Sequence, residues 1–398
     1  MNLVEIHVIQ NIAPNNLNRD DTGSPKDALF GGVRRARVSS QAQKRAVRQY
    51  FREFLTGEGM LTHDDLALRT KRLVDMLVKQ LRDRGRPEEE ARVVARSALA
   101  SMGLGLDDSD QTQYLLFLGQ REIARLADVV ARHWDALSEV ASASEAGDPS
   151  KAKARKRAAR AAVPAEVGKT FGEVLDGGKA VDLALFGRML ADRPEWAVDA
   201  AAQVAHALST HRVEREFDFY TAVDDLQPRE ETGAGMMGDV EFYSACLYRY
   251  ANVDLGQLLT NLQGDRELAV RGVGAFLKAF ALTLPSGKQN SFAAHNPPGF
   301  VAIVVRERTM PRNLAGAFEK PVYPDPANRK SISGQSVERL LETWEALDRA
   351  YGRGSREWTA MLNLTDGSVT YRQEALRPTL DETLRVAMEG AAQLLEAS

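Results

Sequence analysis

Hydrophobic and polar positions alternate at the start of the chain. Val4, Ile6 and Val8 point one way and Glu5 and His7 the other, the period-two pattern of a half-buried strand over residues 3–10. The next segment, NIAPNNLNRDDTGSPKDALFGG, is dense in Asn, Asp, Gly and Pro and predicts an irregular loop, long for a passive connection. Helical spacing then takes over: Ser39 or Ser40 can cap a helix that runs to about Leu55, with Val47, Tyr50, Phe51 and Phe54 as its apolar stripe. Leu, Ala and Val periodicities recur near 66–83, 88–102, 112–140 and 195–211, so an almost wholly helical region is expected from about 62 to 211. Inside it, ASASEAGDPSKAKARKRAARAAVP is poor in apolar residues and reads as a solvated loop with a short helix. Alternation returns over 212–250 on both sides of QPREETGAGMMGD and predicts a long β-hairpin. Helices near 255–282, 335–351 and 378–396 and a strand over 300–305 complete an α+β pattern without an internal repeat.

The 398 residues, 44% of them hydrophobic, suffice for one large or two ordinary domains with buried cores. Charged residues nearly cancel to a formal net charge of -3, so a nucleic-acid partner would have to be held by a local patch. The single cysteine, Cys246, excludes an internal disulfide framework and fits a reducing compartment. MNLVEIHVIQ has no basic region ahead of an apolar stretch, and no apolar run reaches the length of a membrane span, so a cytoplasmic location with no membrane partner is expected.

The sharpest local feature lies between Val33 and Arg52, where Arg34, Arg35, Arg37, Lys44, Arg45, Arg48 and Arg52 occur with no acid. Lys44, Arg48 and Arg52 are spaced four apart and line one helix face, displaced from the apolar stripe. Such a face can track phosphates; it is equally the description of an ordinary solvated helix face. Ser39, Ser40 and Gln41 add hydroxyls, an amide and free N–H groups at the helix start, all able to bond phosphate oxygens. In the hairpin, Phe217, Phe219 and Tyr220 adjoin a polar run and could stack on bases, although alternating aromatics more often pack a sheet. Met189, near a helix boundary, likewise has a core reading beside a contact reading.

Signals for catalysis are weaker. Asp20/Asp21 and Asp224/Asp225 are acidic pairs that could bind Mg²⁺, but capping, turn-shaping and ion-pairing are simpler uses. The six histidines have no zinc-ligand spacing, with His206 and His211 out of the i, i+4 register. No nucleophile motif, P-loop or dinucleotide fingerprint is present, and the glycines of GAGMMG suit a hairpin tip. No cofactor is expected.

At LNRDDTGSPKDALFGGVRRARVSSQAQKRAVR the sequence closely resembles the CasC family, the guide-RNA backbone subunit of the type I-E CRISPR Cascade surveillance complex. The resemblance resumes at VDLALFGRM, AQVAHALSTH, DFYTAVDDLQ, YRYANVDL, PSGKQNSFAAHNP and GAFEKPV and so runs the length of the chain, weakest over about 56–178 and after 323. It implies an α+β fold with an RRM-like (ferredoxin-like) palm over 1–59 and 245–398, a helical finger insertion over 60–211 and a β-hairpin thumb over 212–244. The implied function is non-catalytic: copies polymerise head-to-tail on one CRISPR guide RNA, and each thumb displaces one nucleotide in every six from pairing with target DNA. The implied partners are the guide, target DNA through the guide, further copies of the chain, other Cascade subunits and a recruited nuclease-helicase. By motif, RNA contacts are expected at Asn18, Arg19, Lys26, Ser40, Gln41, Lys44, Arg45, Arg48 and Lys288. Met189 and the thumb residues Phe219, Tyr220 and Thr221 would form the base-displacing edge; the family pattern has Trp then Phe where this chain has Phe219 then Tyr220. An alternative is a metal-dependent RNase like the backbone subunits of type III complexes, for which Asp20, Asp21 and Asp27 are the acids in the corresponding loop.

Overall fold

In the computed structural model, which describes residues 1–145, 170, 172–190, 193–222 and 236–397, the alternating N-terminal segment forms strand β1 (Leu3–Asn15), and both of its faces are buried over most of its length. That corrects the half-buried reading. Glu5 and His7 do face away from Val4, Ile6 and Val8, but onto a second layer: the His7 ring lies 5.2 Å from that of Trp344 on the helix Ile332–Tyr351. Buried polar groups must be paired. Glu5 forms an ion pair with Arg306 and accepts from the Tyr250 hydroxyl at 2.6 Å, and His7 Nδ1 lies 2.9 Å from the Tyr248 hydroxyl. Burial, with Arg306 adding, pushes the His7 pKa down to about 3, so the ring is neutral.

The expected irregular loop also contains a strand. β2 (Asp27–Phe30) and β3 (Val33–Val38) form a tight hairpin across Gly31 and Gly32, both at positive φ. The helical region carries β4 (Ala67–Thr70) paired with β5 (Leu116–Gly119) among its helices. Residues 195–211 are not a helix: after one 3-10 turn, β6 (Ala202–Val204) and β7 (Ala207–Ser209) each pair with the long strand β9 (Met236–Asp254). Alanine-rich segments carry little period of their own, and the long neighbouring strand supplies the hydrogen-bond partners that decide the matter. The hairpin arms are β8 (Glu216–Ala222) and β9 (Met236–Asp254). The expected strand at 300–305 is β10 (Phe300–Arg306), and a strand the periodicity did not reveal, β11 (Glu357–Asn363), pairs with it.

The main sheet runs in the order β11-β10-β1-β9-β7-β3-β2, with β6 and β8 also on β9 and antiparallel pairing throughout. The chain is therefore α+β. It divides into two compact units, Met1–Gly57 with Ala202–Gly256 and Val270–Ser398, and Glu58–Ala201 with Gln257–Ala269. In the first, helices cover both faces of the central strands; in the second, the helices Leu73–Arg82, Glu88–Ser101 and Gln120–Arg132 bury a Leu/Val/Ala core. No described helix is long and apolar enough to cross a membrane.

Candidate nucleic-acid interface

The segment Leu17, Asn18, Arg19, the helix α1 (Ser40–Tyr50) and the turn Pro285, Ser286, Gly287 enclose a cleft of about 650 Å³. Each wall is built by a local device. Asn18 Oδ1 accepts the Ser39 N–H at 2.8 Å, tying the first loop to the start of α1, and Ser39 Oγ caps the helix by accepting from Ala42 N–H at 3.3 Å. Gly287 lies so close to the Leu17 carbonyl that a Cβ would sit 2.3 Å from its oxygen, so only glycine permits this approach. The next residue, Lys288, adopts the left-handed conformation and begins the short helix Gln289–Phe292.

The expected RNA contacts divide by position. Asn18, Arg19, Gln41 and Arg45 line the cleft, together with Gln49. Lys44 and Arg48 occupy the adjoining face of α1, both half-buried, and burial lowers the Lys44 pKa. Ser40 opens the helix, its hydroxyl turned toward Gln41 Oε1 at 3.4 Å. Lys26 has its peptide fully engaged, the N–H donating to Asn18 C=O and the C=O accepting from Arg37 N–H and the Tyr243 hydroxyl, while its side chain is half-exposed.

Not every residue of the cation-rich stretch faces this cleft. Arg35 is fully buried on β3 and spends its guanidinium on the carbonyls of Phe30, Ser209, Phe318 and Glu319, holding the β2–β3 turn against the GAFEK segment. Arg34 pairs with Asp27, and Arg37 reaches Asp27 C=O and His206 Nδ1. The apolar stripe of α1 is also not the one expected. After Tyr50 the backbone makes a π-helical turn, Phe51–Leu55, whose extra residue rotates the register, so Leu55 is buried and Phe54 is 51% exposed.

Two of the three loop acids are engaged in local structure, and the third, Asp21, is exposed and lines the cleft beside Asp20. Asp20 Oδ1 accepts from Thr22 N–H, the Thr22 hydroxyl and Ser24 N–H at 2.7–3.0 Å, and the Thr22 bond leads in lowering its pKa. Asp27 is held between Arg34 and Arg215. Asp224 and Asp225, Gly233 and Gly235, expected at a hairpin tip, and most of the basic low-complexity segment lie outside the described residues.

Along the hairpin, strand alternation sorts the aromatics. Phe217, Phe219 and Thr221 share one face with Met237, and Phe217 and Phe219 are each 65% exposed, so neither packs a core. Tyr220 lies on the opposite face across from Gly238, where an added Cβ would meet the phenol oxygen at 2.6 Å. Met189 belongs to the second unit and is 89% exposed between two buried neighbours, Arg188 and Leu190. Arg188, missed in the sequence, anchors it: Nη1 contacts both oxygens of buried Glu122 at 3.0 Å, and Nε and Nη2 donate to the carbonyls of Trp196 and Leu175. The signal was a basic residue beside an apolar run, LALFGRML.

The family model described as CT1975-like protein matches residues 4–385. No curated protein matches the chain. A chain of a solved structure described as a CRISPR RNA-guided surveillance complex, pre-nicking, is 32% identical with a TM-score of 0.81, covering 98% of this chain and 100% of its own. A second, from a CRISPR RNA-guided surveillance complex, is 27% identical with a TM-score of 0.68 and full coverage of both chains.

Proposed function

We propose, given that the chain belongs to the CT1975-like family, that it is a non-catalytic structural subunit holding the CRISPR guide RNA by its backbone in a type I-E Cascade complex. One observation carries this reading: Arg19, Arg45, Asn18, Gln41 and Gln49, cations and amides that bond phosphate and sugar oxygens without selecting bases, line one cleft, which Asp20 and Asp21 also line. The likeness to chains of RNA-guided surveillance complexes over their whole length supports it. In this reading the first unit's antiparallel sheet and helices are an RRM-like palm, the helical region is the fingers, and 212–244 is the thumb. Copies stack head-to-tail along one guide, and the exposed Phe219 face displaces periodic nucleotides while the rest pair with target DNA. The other Cascade subunits and a recruited nuclease-helicase complete the assembly, which serves antiviral defence in the cytoplasm. The use of Asp20 in a turn and of Asp27 in ion pairs supports the structural role over a metal-dependent RNase.

The test is charge reversal on α1, at Arg45 in the cleft and Arg48 on the adjoining face. Arg45→Glu with Arg48→Glu should leave the circular dichroism spectrum intact and abolish co-purification of guide RNA, since attraction to phosphate becomes repulsion. Retention of full-length guide by the double variant at moderate salt would remove α1 from the RNA groove.

A further inference from the structure

Arg249, on β9, is a buried cation with no carboxylate partner among the described residues. Its residue is 2% exposed, and its guanidinium donates to three neutral oxygens: Gln10 Oε1 at 2.7 Å, Phe280 C=O at 2.6 Å and Gln43 Oε1 at 3.3 Å. No described carboxylate pairs with it, and burial alone lowers its pKa to about 9. Other buried arginines of the same unit are neutralised, Arg306 by Glu5 and Arg372 by Asp348 and Glu357. Arg35 shares the all-neutral shell but is tied to the β2–β3 turn. A buried charge without a partner is costly, and an apolar side chain of similar size would fill the space more cheaply. Its place is therefore informative. Gln43, one of its three acceptors, is on the inner face of α1, the helix whose outer face carries Gln41 and Arg45 into the cleft.

We propose that Arg249 supplies a buried positive charge beneath α1 that helps hold a polyanionic strand along the outer face of that helix, acting through the helix and never touching the strand. The inference rests on the reading of α1 as the RNA-holding surface. Protein separates Arg249 from the cleft, so its field is screened less than that of an exposed side chain at the same distance. A bound phosphate backbone supplies a counter-charge where no described carboxylate bonds the guanidinium. Arg249 is thus a positioning residue for charge, distinct from Arg45, which faces the cleft itself.

The experiment compares the full chain with Arg45→Glu, Arg249→Met, Arg249→Lys and Gln10→Glu, each checked by circular dichroism, for affinity to a labelled single-stranded RNA across a salt series. Gln10→Glu puts a carboxylate beside Nη1 and neutralises Arg249 in place, at the loss of the amide's donation to the Asn296 carbonyl at 2.6 Å. Arg249→Met and Gln10→Glu should each weaken binding about fivefold, with the slope of log affinity against log salt unchanged because no phosphate contact is lost. Arg45→Glu should lower that slope by about one. Arg249→Lys, which keeps the charge and loses the planar fork, should bind within about twofold of wild type. Wild-type affinity in a folded Arg249→Met or Gln10→Glu variant overturns the proposal, as does an Arg249→Lys variant as weak as Arg249→Met, which would make the role structural. Unaltered binding by Arg45→Glu would instead overturn the reading of α1. If Arg249→Met does not fold, Gln10→Glu and Arg249→Lys decide between the same outcomes.

Discussion

His7 alternates toward what one strand alone would present to solvent, yet its ring is packed, tilted, against Tyr250 at 5.1 Å and Trp344 at 5.2 Å. This has a measurable cost. The unfolded chain protonates this imidazole below its usual 6.5, whereas the folded protein resists until about 3, so between those values the unfolded state binds more protons. Stability should accordingly be unaffected by this group above about pH 6.5 and fall as pH drops toward 3. His7→Phe keeps the ring contacts, leaves the Tyr248 hydroxyl bonded to Leu314 N–H, and should flatten this part of the acid limb in urea midpoints taken from pH 7 to pH 4. An unchanged pH profile in the variant would mean that His7 does not titrate in this way. Arg188 illustrates a different use of a buried charge: its pairing with Glu122 is satisfied on every side, and its product is a neighbouring methionine held out of the core.

At the scale of elements, the β2–β3 hairpin joins two motifs far apart in sequence. A Cβ on Gly31 would fall 1.7 Å from the Glu319 carbonyl oxygen, so the FGG turn and the GAFEK segment meet backbone to backbone, and Arg35 ties the same place from within. Gly31→Ala therefore carries two penalties, a positive φ of 58° and the clash, whereas Gly23→Ala, at φ 90° with nothing within 4 Å, carries only the first. The Gly23 variant should lose about 1 kcal/mol and the Gly31 variant clearly more, read from urea unfolding. Equal losses would show that the docking of the turn on Glu319 contributes nothing. α1 shows how one extra residue redirects an element: the π-helical turn swaps Leu55 for Phe54 in the core and ends the regular spacing that the cation and apolar faces share.

For the whole molecule, the proposed role predicts that the assembled ribonucleoprotein does no cleavage of its own. Complementary labelled RNA and DNA incubated with it and Mg²⁺ or Mn²⁺, without any partner nuclease, should stay intact in wild type and in Asp20→Asn and Asp27→Asn. Cuts at regular spacing that vanish in one of these variants would favour the RNase reading, since loss of a metal-binding carboxylate removes most of such a rate.

Much of this was legible in the chain itself. Strong periodicity located β1, α1 and the helices Leu73–Arg82, Glu88–Ser101, Ile332–Tyr351 and Leu380–Glu396, because a long amphipathic pattern has few competing solutions, and a short continuous apolar run located β10. The cation-rich stretch and its capping serine were likewise visible, as local chemistry always is. Tertiary structure decided the rest. Whether Ala202–Val204 and Ala207–Ser209 are helix or strand depends on the nineteen residues of β9 offering them an edge, and β11 exists because β10 offers another. Which of the cations reach the cleft was also beyond the sequence: Arg35 and Arg45 look alike in a charge count, but one meets four carbonyls and the other open space. Burial is a property of what lies opposite a side chain, and a sequence records only what lies beside it.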